Sequence, residues 1–209
     1  MEFEVLNKEL AEVFSSLEFE EDGGIHITGT EWFDDRLKLE FSIKPGNNLP
    51  GQLWEVQISG VRKESINANW ADKLELLEEH PLLWEHMYTQ SDLYFSKAAT
   101  NPFELFVSIY QVHSKTTMDW IPFEKFINSG LTFLDLCKST NALFAKGPTK
   151  LLEAYSFELD KFGMQANLFG KRNPKRWKVD HWVEESDPLS VLIIGKSYVV
   201  AESFDFTRV

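Results

Sequence analysis

Hydrophobic positions along this chain recur with two periods, and each change of period predicts a change of element. Over residues 7–17, Leu10, Val13, Phe14 and Leu17 follow at i, i+3, i+4 and i+7 behind Asn7, which predicts a capped helix. Then the period drops to two. Ile25 and Ile27 alternate with polar neighbours, as do Leu37, Leu39, Phe41 and Ile43, and Leu53, Val56 and Ile58 do so less strictly. This predicts a meander of three antiparallel strands with one buried and one wet face. The turn-rich stretch 44–51, Lys44-Pro-Gly-Asn-Asn-Leu-Pro-Gly51, supplies a hairpin loop between two of them.

The middle of the chain returns to helical spacing. Residues 69–88 read ambiguously: Trp70, Leu74 and Leu77 suit a helix, but Pro81 stops it one turn later. Asn101-Pro-Phe-Glu104 joins a cap, a proline at the first helical position and a glutamate at the third, with Phe103, Phe106, Val107 and Tyr110 as the apolar stripe. A short helix is expected over 131–138. Another is expected over 148–162, with Leu151, Leu152, Tyr155, Leu159 and Phe162 on its core face and Gly163 at its stop. In the tail, Val191–Ile194 and Ser197–Ala201 flank Gly195-Lys196, the composition of a type II′ hairpin, and Phe204 and Phe206 continue the second strand by alternation. Strands, then helices, then strands predict an α+β fold: an antiparallel sheet from the N-terminal meander and the C-terminal hairpin, with the central helices packed on it. Nothing has linker composition, so residues 1–209 are expected to form a single α+β domain.

Composition is ordinary except in its aromatics and its charge. Of the 209 residues 14% are Phe, Trp or Tyr, enough to dominate a core. The net charge is −12, and residues 1–40 hold twelve acids against three bases, net −9. A field of this sign repels phosphate backbones and anionic lipids, so nucleic acid is disfavoured as the main partner. One cysteine, an acidic start and no long apolar run point to a soluble, cytoplasmic protein without disulfides or membrane contact.

Motifs that carry chemistry are missing. There is no phosphate-binding glycine loop, no dinucleotide fingerprint and no Gly-x-Ser-x-Gly elbow. The five histidines, His26, His80, His86, His113 and His181, lack metal-ligand spacing, and Pro81 separates His80 from His86. Asp180 and His181 are neighbours, which on a strand point to opposite faces. Cys137 lies in an apolar stretch, where a thiolate is not favoured. No cofactor and no metal are expected.

Two clusters remain. Glu20, Glu21, Asp22, Asp34 and Asp35 surround Trp32 among bent, glycine-rich segments, the makings of an acidic docking surface with an aromatic anchor. Lys171, Arg172, Lys175, Arg176 and Lys178 flank Trp177, a candidate anion-binding segment or a loop that pairs with the protein's own acids. The expected function is that of a non-catalytic acidic protein that docks and blocks a basic protein, an inhibitor or immunity-type role. The alternatives are an enzyme whose site is assembled only in three dimensions, and a structural homo-oligomer with aromatic interface anchors.

Overall fold

Alternating β-branched and aromatic residues build fourteen antiparallel strands among the described residues, and the computed structural model describes residues 10, 23–34, 36–44, 46, 50–67 and 70–209. The chain divides into two compact units: Met1–His80 with Asp187–Val209, and Pro81–Ser186.

In the first unit, β1 (Gly24–Phe33), β2 (Arg36–Lys44) and β3 (Gln52–Ser59) form the expected meander. Strands β4 (Lys63–Ser65), β5 (Trp70–Ala71) and β6 (Leu74–Leu77) follow before the second unit begins. After it come β12 (Ser190–Ile194), β13 (Ser197–Ala201) and β14 (Ser203–Arg208). They make two sheets, ordered β14-β3-β2-β1-β5 and β4-β13-β12-β6. The inward residues of both sheets share one core: Leu37, Leu39, Phe41, Ile43, Trp54, Val56 and Ile58 from one; Leu74, Leu76, Leu192, Ile194 and Val199 from the other. This is a two-layer β arrangement. Of the expected helix over 7–17, only Leu10 lies within the described residues, buried in that core.

Three details differ from the pattern reading. Trp54 is the buried residue at the head of β3 and Leu53 is 40% exposed, because the β3 alternation runs through 54, 56 and 58. Residues 70–77 form strands, not a helix: Leu74 and Leu76 are buried at period two, and β6 pairs with β12. Phe204 and Phe206 do not prolong the hairpin strand. The chain leaves β13 after Ala201 and crosses to the other sheet, where β14 pairs with β3. The tail hairpin has the expected turn, with Gly195 at φ +59 and Ile194 opposite Ser197.

The second unit is inserted between β6 and β12, two strands that are direct antiparallel neighbours. Strands β7 (Gln90–Phe95), β8 (Ala142–Pro148) and β9 (Ala166–Arg172) form a sheet ordered β8-β7-β9, and β10 (Lys175–Lys178) pairs with β11 (His181–Glu184) as a separate ribbon. Its helices are α1 (Trp84–Met87), α2 (Pro102–Thr117), α3 (Phe133–Lys138) and α4 (Thr149–Lys161). The Asn101 side chain accepts from the Glu104 N–H at 3.3 Å, and Thr132 caps α3 by accepting from the Asp135 N–H at 3.2 Å. The core joins Leu93, Phe95 and Phe144 of the sheet to Leu105 and Ile109 of α2 and to Leu151, Leu152, Tyr155 and Leu159 of α4. The α2 stripe read from the sequence is not the face in that core. Phe103, Phe106, Val107 and Tyr110 are exposed; α2 buries Leu105, Ile109, His113 and Thr117.

Candidate interaction surfaces

Strand β1 positions Trp32. Its register with β2 runs to Trp32–Leu37 and Phe33–Arg36, and Asp34 follows β1 at φ +53. The β1 residues near 25–27 enter the core, whereas Trp32 and Phe33 are 51% and 47% exposed. Strand β5 covers β1 only at Ile25 and His26, and the register shifts between Ile27 and Gly29. Among the described residues the outer half of β1 is therefore a free sheet edge. Beside it lies a groove of about 330 Å³ lined by Ile27, Thr28, Thr30, Trp32, Glu64 and Ile66.

The outer face of this sheet carries Arg36, Lys38 and Lys44 of β2 with Glu31, Glu40 and Glu55, and the three acids gather at one place on it. Lys38 on β2 is ringed by Glu40 at 2.9 Å, Glu31 at 3.7 Å and Glu55 at 3.8 Å. Its hydrogen bond to Glu40 comes first among the causes that raise the Lys38 ammonium above its ordinary pKa. Three carboxylates around one ammonium leave a net negative patch. By alternation from Glu31, Phe33 projects on the same face, while Trp32 turns toward the groove. Glu31, Glu40, Glu55 and Phe33 were missed as site residues because their convergence depends on strand register. Period-two spacing already placed Lys38 and Glu40 on the polar phase of β2. Of the acidic residues expected here, Asp34 sits at the hairpin turn, while Glu20, Glu21, Asp22 and Asp35 lie outside the described residues.

The basic segment is a strand end and a ribbon, not a loop. Arg172 closes β9 and donates to Asp92 at 2.7 and 3.3 Å; that hydrogen bond holds the Asp92 carboxyl below the usual carboxylate range. Arg176 approaches Glu185 at 3.6 Å. Lys175 stands across from Glu184 in the ribbon register, Lys178 flanks the turn, and Lys171 lines a cleft of about 190 Å³ with Lys150, Tyr88 and Thr149. The five bases thus do not converge on one point, and both arginines face acids. Trp177 and Trp182 pair directly across the ribbon, ring centroids 5.5 Å apart, 59% and 62% exposed. The ribbon turns through Val179 and Asp180 at φ +42 and +71, an unfavourable conformation for a β-branched valine.

His113, Cys137 and His80 are buried. His113 Nε2 lies 2.7 Å from the Ile121 carbonyl, which can only accept, so Nε2 carries the proton and Nδ1 accepts from the Tyr155 hydroxyl at 2.6 Å. Burial pushes the Cys137 thiol up to about 12 and lowers His80 to about 4. His181 directs Nδ1 to its own turn, 3.0 Å from the Val179 carbonyl oxygen. Among the described residues no three His, Cys, Asp or Glu side chains gather as a metal site, and no helix is long and apolar enough to cross a membrane. Comparison with protein-family models, with curated proteins and with solved structures finds no match to this chain.

Proposed function

We propose that this chain is a non-catalytic binding protein that docks a basic protein on the acidic face of its first unit. The observation that carries this reading is Glu31, Glu40 and Glu55 around the single Lys38, beside a hairpin tip with Trp32 and Phe33 exposed. Like charges crowded on a rigid sheet attract a cationic surface from a distance, and the two aromatics supply contact area once it arrives. The free edge of β1 adds a row of backbone groups to which a partner strand can pair. A partner held this way has its basic surface covered, which is how an inhibitor or immunity-type protein would act.

The test is a capture from the native host followed by kinetics. Glu31→Lys with Glu40→Lys should slow association at least about tenfold at low salt and flatten its salt dependence. Trp32→Ala should instead speed release. Equal capture and equal rates for wild type and the double charge reversal would overturn the proposal.

A further inference from the structure

The tip of the β10–β11 ribbon is apolar, strained and flanked by lysines, and we infer that it is a contact surface for a lipid bilayer bearing anionic headgroups. Trp177 and Trp182 are 59% and 62% exposed, and Val179, in the turn between them, is 80% exposed. Val179 stands at φ +42, where a β-branched side chain is strained and asparagine or glycine is at ease. Neither the turn nor solubility calls for a valine there. An apolar side chain held at the end of a ribbon against the preference of its own backbone points to a surface that takes it out of water. This inference does not rest on the acidic face of the first unit.

Charge and area select a bilayer. Pro81–Ser186 holds twelve bases and twelve acids, so the net −12 of the chain is carried entirely by the first unit. Within residues 171–185, five bases stand against three acids. Both arginines meet acids, Arg172 at Asp92 and Arg176 at Glu185. Lys171, Lys175 and Lys178 are exposed and make no ion pair among the described residues. Of the acids on the ribbon, Asp180 lies in the turn and Glu184 across from Lys175. Anionic headgroups complement the lysines, and indole rings settle at the boundary between headgroup and hydrocarbon. The two indoles offer roughly 300 Å², far short of the roughly 1,200 Å² at which specific protein interfaces begin. A tip that dips into the edge of a bilayer needs no matching partner surface. A single-stranded nucleic acid carries the same charge, but it stacks its bases on ring faces, and these two rings meet edge to face at 77°. The contact is interfacial and needs no spanning helix; it departs from the expectation of a chain without membrane contact.

Co-sedimentation of the full chain with phosphatidylcholine vesicles holding about one-third phosphatidylserine tests this. Binding should exceed that to vesicles of phosphatidylcholine alone by about tenfold. Val179→Asn relieves the turn, so the melting temperature should not fall, while binding weakens about threefold. Lys178→Glu should weaken binding about tenfold, and Asp180→Asn should strengthen it a few-fold. Trp177→Ser with Trp182→Ser should weaken it at least about tenfold. Val179→Asn and Lys178→Glu keep both indoles, so they test the tip even if the serine variant loses the ribbon. No binding to the mixed vesicles, or equal binding to both kinds, overturns the inference. So does binding unmoved by Val179→Asn and Lys178→Glu, or capture of an oligothymidylate in place of the vesicles.

Discussion

Strands β2 and β3 of the first unit bury Leu37, Leu39, Phe41, Trp54, Val56 and Ile58 and turn Lys38, Glu40, Glu55 and Gln57 outward, so every second residue divides core from surface. Helix α2 of the second unit makes no such division. Its apolar arc runs from Leu105 and Ile109 round to Phe103 and Tyr110, wider than one packing partner can cover, and half of it stays in solvent. A strand has two faces, and alternation names the one that is buried. A helix with a broad apolar arc is buried along whichever part its neighbours reach. On these faces the first unit therefore exposes charge, and the second exposes apolar surface.

The comparison can be strained where the core is densest. Phe41→Ala, at a fully buried position, should cost about 3–5 kcal/mol and lower the melting temperature steeply in calorimetry. The same scan tests the expectation of one domain over residues 1–209. A single transition that moves as a whole upholds it; a transition belonging to 81–186 that stays in place makes the two units separate domains.

Acid should unsettle the first unit before it touches paired carboxylates. Burial lowers His80 to about 4, against 6.5 in the unfolded chain. The unfolded state thus binds more protons between these values, and stability present above pH 6.5 is lost as the pH falls toward 4. The loss is at most about 3 kcal/mol. His80→Gln should abolish the slope in that window in pH-resolved denaturant titrations. Asp92, held below its usual range by Arg172, contributes stability that disappears only at lower pH.

Raising ionic strength should slow docking at the acidic face by several-fold, as stopped-flow titration would record. Smaller effects follow. Asn101→Ala removes the side chain that caps α2 and should cost about 1 kcal/mol in chemical denaturation of the second unit. Phe103→Ala, on the exposed stripe of the same helix, should change monomer stability by no more than about 0.5 kcal/mol. A cost like that of a core residue would show that α2 buries this face after all.

Residues that act through local chemistry were legible without coordinates. The Asn101-Pro102 start of α2, the Gly195 turn, the alternation from Leu37 to Ile43 and the antiparallel meander all follow from neighbours within a few positions, where dihedral preference and spacing act directly. What failed depended on distant partners. Residues 70–77 carry spacing compatible with a helix, and only pairing of Trp70–Ala71 with β1 and of Leu74–Leu77 with β12, more than a hundred positions away, makes strands of them. Phe204 and Phe206 obey alternation in either sheet, and the crossing after Ala201 decides which.

The surfaces divide along the same line. Sequence alone determined the sign of the field, the −9 of residues 1–40, the aromatic stock and the α+β order, because charge and periodicity are properties of residues as they stand. Tertiary structure alone decided that Glu31, Glu40 and Glu55 meet around Lys38, and that Asp92 neutralises Arg172. It alone decided that the most apolar stripe of α2 faces water. Each depends on register or packing between segments far apart in the chain, and no local preference carries that information.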